Sequence, residues 1–126
     1  MNFQGSILLV DDEAHIRKYV SLILKQLGVP KVIEAGNGEE AIASYQSVKP
    51  DLVLLDISMP LMNGLETLKK LKEIDPECMI IMLTSMVNRQ SIDEALALGA
   101  ANYIRKDTPK EEIAQAIKET LDSRYP

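Results

Sequence analysis

The sequence predicts a doubly wound α/β fold, with a parallel sheet of five strands covered by helices on both faces. Three observations carry this. Short apolar runs alternate with helix-periodic segments five times along 126 residues. Three of the runs are continuously apolar, as strands buried on both faces must be. The segments between runs are long enough for one helix and a short connection each, and parallel strands need such right-handed crossovers.

The elements follow in order. The first run is Ile7-Leu8-Leu9-Val10, and the stripe Ile16, Val20, Ile23 and Leu27 predicts a helix after it. Gly28 ends that helix, where a left-handed residue is wanted. Val32-Ile33 is the second run, short enough for a strand near a sheet edge. Asn37 and Glu40 have the spacing of a reciprocal cap on the second helix. Leu52-Val53-Leu54-Leu55 is the third run, followed by the stripe Leu61, Leu65, Leu68, Leu71 and Ile74. Met79-Ile80-Ile81-Met82-Leu83 is the fourth run, and Gly99 closes the helix after it. Tyr103-Ile104 is the fifth and again short. Thr108-Pro109-Lys110-Glu111 then reads as cap, first helical residue and reciprocal acid, opening a last helix on Ile113, Ile117 and Leu121.

The chain reads as one domain spanning residues 1–126. A domain of this size buries roughly two-thirds of its unfolded surface and needs no staple. An apolar fraction of 46% and a charged fraction of 26% exclude disorder and a disulfide scaffold. The longest apolar run is six residues, Cys78 to Leu83, against the roughly 20 of a membrane span. No Lys or Arg precedes Arg17, so a basic signal-peptide start is lacking. With a single cysteine, Cys78, the expectation is a cytoplasmic protein without membrane partners. A net charge of −5 argues against direct nucleic-acid binding.

In an open parallel sheet, ligands bind beyond the carboxyl ends of the strands. The residues there are Asp11, Asp12 and Glu13 after the first run, Asp56 and Ser58 after the third, Thr84 and Ser85 after the fourth, and Arg105 and Lys106 after the fifth. Each alone has an ordinary explanation: acids favour helix starts, a threonine suits a strand end, and a lysine is usually solvated. Together they are not ordinary. Asp11, Asp12 and Asp56 on adjacent strand ends repel one another unless something positive lies among them. A divalent cation with oxygen ligands meets that need, and so few carboxylates suit Mg²⁺ that keeps several waters. Mg²⁺, an ammonium and a hydroxyl can hold a phosphoryl group, and a carboxylate there can be its acceptor.

The acid pair Asp11-Asp12, the lone Asp56 followed by Met59-Pro60 and Gly64, then Thr84, then Lys106 resemble the response-regulator receiver domain of two-component signalling, from about Ile7 to Leu121. The resemblance implies a flavodoxin-like sheet in the order 2-1-3-4-5 with five helices. It implies that Asp56 accepts a phosphoryl group from a sensor histidine kinase or phosphotransfer protein. Asp12 and Asp56 then bind Mg²⁺ directly, Asp11 through water, and the Ser58 carbonyl adds a ligand. Thr84 and Lys106 hold the phosphoryl oxygens. Tyr103 matches the aromatic switch that turns inward when Thr84 moves. A downstream protein reads the face formed by the fourth helix, fifth strand and fifth helix, and the chain works as a monomer or weak dimer. It is a switch that assists its own phosphorylation and dephosphorylation rather than a true enzyme.

One position departs from the family pattern. Asp107 stands after Lys106 where a proline, commonly in cis linkage, is usual. The bond is then trans, or cis at a cost of about 2.5–4 kcal/mol. Asp107 also adds a negative charge that could compete with the phosphoryl group for the lysine.

Three other functions fit less well. A relay that passes the phosphoryl group to a histidine uses the same site. A scaffold that is never phosphorylated draws support from Asp107 alone. An aspartyl phosphatase places its nucleophile after the first strand with a second acid two residues on; here Asp11 is followed by Asp12-Glu13, and this reading is the weakest. Gly36-Asn37-Gly38-Glu39-Glu40-Ala41 follows the second strand and would meet a pyrophosphate with like charge, so it reads as a turn and cap. His15 reads as a helix-face residue, Cys78 as an inert core residue, and Met59, Met62 and Met86 as loop packing beside the site. Ser58 and Met86 flank the site and are expected to tune the phosphate lifetime.

Overall fold

A computed structural model describes residues 3–85 and 88–125. The elements alternate along the chain: β1 (Ser6–Val10), α1 (Ala14–Gln26), β2 (Lys31–Ala35), α2 (Gly38–Val48), β3 (Leu52–Leu55), α3 (Gly64–Ile74), β4 (Ile80–Thr84), α4 (Arg89–Ala97), β5 (Asn102–Arg105) and α5 (Lys110–Arg124). The strands form one sheet in the order β2-β1-β3-β4-β5, and every neighbouring pair is parallel. This is the predicted flavodoxin-like order. The strands built on the two short apolar runs, β2 and β5, lie at the edges, where half-buried positions need fewer apolar residues.

Side chains alternate across the sheet. Leu8 and Val10 of β1, Val53 and Leu55 of β3, and Ile80 and Met82 of β4 face one cluster, with Ala41 and Tyr45 of α2, Leu68 and Leu71 of α3, and Ala95 of α4. Ile7, Leu9, Leu52, Leu54, Ile81 and Leu83 face the other, with Val20, Ile23 and Leu24 of α1 and Ile113, Ile117 and Leu121 of α5. Two apolar layers therefore sandwich the three central strands. The carboxyl ends of β1, β3 and β4 are the edge where that burial stops.

The helix ends refine the sequence reading. Gly28 and Gly99 hold φ of +88° and +102°, as expected at helix C-termini. The Asn37 side chain caps α2 through the Glu40 N–H, but the Glu40 carboxylate turns to the Gly36 N–H at 2.8 Å. The expected Thr108 cap is corrected. Pro109 is the N-cap of α5 and contributes no side-chain bond, while the Thr108 N–H donates to the Arg105 carbonyl in the preceding turn. A full reciprocal cap is found instead at α3, between Asn63 and Glu66.

Leu61 is also corrected. It lies outside α3, 94% exposed, with φ of +70°. The Met62 N–H donates to the Pro60 carbonyl at 2.8 Å, making a tight three-residue turn about Leu61, a rare and strained form. A left-handed conformation costs a branched residue about 1–2 kcal/mol. Glycine avoids that cost and loses about 0.5–1 kcal/mol in unfolded-chain entropy. Leu61→Gly is therefore expected to stabilise the domain by up to about 1 kcal/mol, raising the Tm by about 3 °C in a thermal melt.

Candidate functional site

Ladder bonds that continue past the strands bring the polar residues together. The Asp11 N–H donates to the Ala35 carbonyl at 3.1 Å, and the Asp56 N–H donates to the Val10 carbonyl at 3.1 Å. The Lys106 N–H donates to the Thr84 carbonyl at 3.0 Å. Each residue is thus the next rung after a strand, apolar before Asp11 and Asp56 and the mixed edge strand β5 before Lys106. Asp11, Asp56 and Thr84 are buried, with relative exposures of 2%, 1% and 0%.

The carboxylates of Asp11, Asp12 and Asp56 converge, with candidate ligand oxygens all within 4.8 Å of one another. Asp12 is exposed, so the cluster opens to solvent on its side. Lys106 enters from β5. Its Nζ lies 2.7 Å from Asp11 Oδ2, 3.2 Å from Asp56 Oδ2 and 3.6 Å from Glu13 Oε1. Its side chain is 12% exposed, so this ammonium is held among acids rather than solvated. The Glu13 N–H donates to Asp11 Oδ1 at 2.9 Å, and the Ser58 N–H reaches Asp56 Oδ1 at 3.4 Å.

Burial pushes the Asp56 carboxyl above its ordinary range. The Thr84 hydroxyl and the Lys106 ammonium pull it back, and the Asp11 charge adds to the rise. For Lys106, burial alone favours the neutral amine, but the hydrogen bond to Asp11 and the charges of Asp56 and Asp11 outweigh it and raise the ammonium's pKa. The carboxylates of Asp11, Glu13 and Asp56 around one ammonium, with Asp12 beside them, leave a net negative pocket with an open side. The chemistry of that donor set suits a hard cation.

Tyr103 is half-buried and packs against the cluster on the α2–α4 side of the sheet. Burial, then the Asp56 charge, raises its phenol pKa. Ser58 is exposed and Met59 buried, while Met86 lies outside the described residues. His15 is on the exposed face of α1, 3.7 Å from Glu13. Cys78 is 2% exposed, and burial raises its thiol pKa, as an inert core thiol requires.

At Asp107 one alternative is decided and one expectation changes. Among the described residues there are no cis peptide bonds, so the Lys106–Asp107 bond is trans. Asp107 does not draw Lys106 away: both its oxygens are taken by Arg105, at 3.0 and 2.7 Å. Glu13, named with Asp11 and Asp12 at the strand end but given no role, lies 3.6 Å from Lys106, and Arg17 is a part of the site that sequence reasoning did not single out.

The family model described as "Response regulator receiver domain" matches residues 7–118. The chain belongs to that family, which is a family of signalling switches. The chain is 39% identical over 116 residues to the chemotaxis protein CheY of Bacillus subtilis, covering 92% of this chain and 97% of that one. It is 36% identical over 111 residues to the chemotaxis protein CheY of Thermotoga maritima, covering 88% and 92%. Among solved structures, the CheX-CheY-BeF3-Mg complex from Borrelia burgdorferi superposes with a TM-score of 0.88 at 29% identity, over 92% of this chain and 88% of that one. A CheY-like response regulator receiver domain protein from Methanospirillum hungatei gives a TM-score of 0.89 at 31% identity, over 96% of each chain. This is a CheY-like receiver domain, consistent with phosphorylation-dependent two-component signalling. Among the described residues, no helix is long and apolar enough to cross a membrane.

Proposed function

We propose that Asp56 is the phosphoacceptor of a single receiver domain, and that the phosphoryl group comes from a phosphohistidine on a sensor kinase or phosphotransfer protein. The observation that carries this is the convergence of three carboxylates with Lys106 inside 3.2 Å of Asp56. In the transfer, the donor's P–N bond breaks as a P–O bond forms to an Asp56 oxygen. The imidazole leaves with the electron pair and takes up a proton. Lys106 and the Thr84 hydroxyl then hold phosphoryl oxygens, as preorganised donors do where charge gathers.

Asp12 and Asp56 would hold Mg²⁺ directly and Asp11 through water, with the Ser58 carbonyl as a further ligand. The bound ion supplies charge neutralisation at the phosphoryl oxygens. The same groups admit water for the slower loss of the phosphate, so the domain assists both reactions without being a turnover enzyme. Thr84 links the site to Tyr103, and phosphorylation shifts an existing equilibrium that a downstream protein reads on the α4, β5 and α5 face. Leu96 of α4 is 48% exposed on that helix. The domain acts in the cytoplasm as a monomer or weak dimer, with no direct nucleic-acid contact.

Intact mass after incubation with acetyl phosphate tests this. The expected result is a Mg²⁺-dependent gain of one phosphoryl group that is abolished in Asp56→Asn. No gain in any condition, with a working histidine kinase also tried, overturns the reading.

A further inference from the structure

We propose that Arg17 is a positioning residue that aims the Asp12 carboxylate at the cation site, an inference that rests on the functional reading above. Among the described residues the Asp12 carboxylate has no hydrogen-bond or ion-pair partner, yet it lies within 4.8 Å of the ligand oxygens of Asp11 and Asp56. Its backbone is therefore what fixes where that side chain starts. The peptide carbonyl just before it, Asp11 O, accepts a hydrogen bond from Arg17 Nη1.

Arg17 is itself fixed. Its Nε donates to Glu34 Oε1 at 3.0 Å, and its side chain is only 20% exposed. One planar guanidinium thus ties α1 to β2 across the end of β1, using the fork geometry an ammonium lacks. The Asp11 N–H is held from the other side by the Ala35 carbonyl at 3.1 Å. The peptide plane between Asp11 and Asp12 is clamped, and the Asp12 side chain leaves it in a set direction. Outer groups that orient metal ligands act in this way.

A second role for Arg17, as a bare positive charge, predicts the opposite sign. A cation beside an acidic site repels Mg²⁺, so its removal would tighten binding. Loss of positioning weakens it.

The test is a Mg²⁺ titration of the ¹⁵N-labelled full chain, wild type against Arg17→Gln and Arg17→Lys, followed by the amide resonances of Asp12 and Glu13. Positioning predicts that these resonances move in metal-free Arg17→Gln, with the helical circular dichroism kept, and that Mg²⁺ binds about tenfold more weakly. Arg17→Lys keeps the charge and recovers only part of the affinity. Arg17→Gln binding Mg²⁺ as tightly as wild type, or more tightly, overturns the proposal. Should Arg17→Gln fail to fold, Arg17→Lys decides: wild-type affinity overturns the proposal and weaker affinity supports it. A wild-type chain that binds no Mg²⁺ overturns instead the cation reading on which the proposal rests.

Discussion

Replacing Lys106 with methionine is expected to destabilise the metal-free domain by about 3–5 kcal/mol at neutral pH, and Mg²⁺ is expected to restore most of that loss. The ammonium lies 2.7 Å from Asp11 and 3.2 Å from Asp56, and those two side chains are 3% and 2% exposed. Methionine keeps the volume of the stem and removes the charge. It leaves two buried carboxylates facing each other with Asp12 close by. Truncating one side of a buried pair is costly because the other side stays in place. A divalent cation at the same acids supplies the missing charge, and ligand binding to the folded state raises its stability by mass action. Thermal melts in chelator and in excess Mg²⁺ check this. Equal melting of mutant and wild type in chelator would show that Lys106 does not balance the acids.

The same substitution has a defined pH dependence. Asp56 already binds its proton more readily in the folded than in the unfolded chain, whose ordinary value is 3.8. Its contribution to stability is therefore full below 3.8 and is lost as pH rises through the elevated folded value. Lys106 has the same sign at the other end of the scale: its raised pKa stabilises the fold below its ordinary 10.5, and that contribution is lost as pH rises through the folded value. Removing Lys106 takes away both its charge and its hydrogen bond, two influences that hold Asp56 down. The Asp56 carboxyl moves up further, and protonation then replaces the lost cation. The cost of Lys106→Met is expected to shrink as pH falls from 7 toward 4, measured by urea unfolding at each pH.

The central part of the fold is legible in the sequence for a physical reason. β1, β3 and β4 are covered on both faces, so nearly every position must be apolar. The first polar residue after each run then marks the edge of the sheet, and Asp11, Asp56 and Thr84 declare themselves by that contrast, while Lys106, one residue past Arg105 of the edge strand β5, does so only in company with them. What was not legible depends on contacts that carry no pattern. Leu61 matches a helical stripe by spacing alone, but Asn63 and Glu66 cap the helix two residues later. The Asn-x-x-Glu signal was present and lost to the longer period. Arg17 reads as an ordinary charge on a helix face, because its partner is a main-chain carbonyl that every residue possesses. Asp107 reads as a rival for Lys106 only while Arg105 is ignored. That side chain is two residues back, at the end of β5, and takes both carboxylate oxygens.

Gly64→Ala is the substitution expected to damage site and fold together. The Gly64 N–H donates to the Ile57 carbonyl at 2.9 Å, which draws the start of α3 against the main chain of the loop after β3. A Cβ at Gly64 would overlap the Asp56 carbonyl oxygen and stand 2.7 Å from both Asp56 C and Ile57 Cα. These neighbours are backbone, so no side chain can swing aside. Relief requires α3 to withdraw or the Asp56 peptide to move. Overpacking of this kind costs about 3 kcal/mol, and a shift near 1 Å in the acceptor can lower the rate of transfer by about a hundredfold. Gly36→Ala provides the contrast. Its Cβ would meet Arg17 Nη1 and Glu40 Oε1 at 3.5 Å, ordinary contact with side-chain ends. It is expected to change stability by no more than about 0.5 kcal/mol. Urea unfolding and the rate of phosphorylation by acetyl phosphate, measured on both variants, separate a general cost of losing glycine from a specific need for close approach at Asp56. Equal, mild effects at the two positions would mean that α3 can retreat without moving the acceptor, and that the tight contact at Gly64 does not set the geometry of the site.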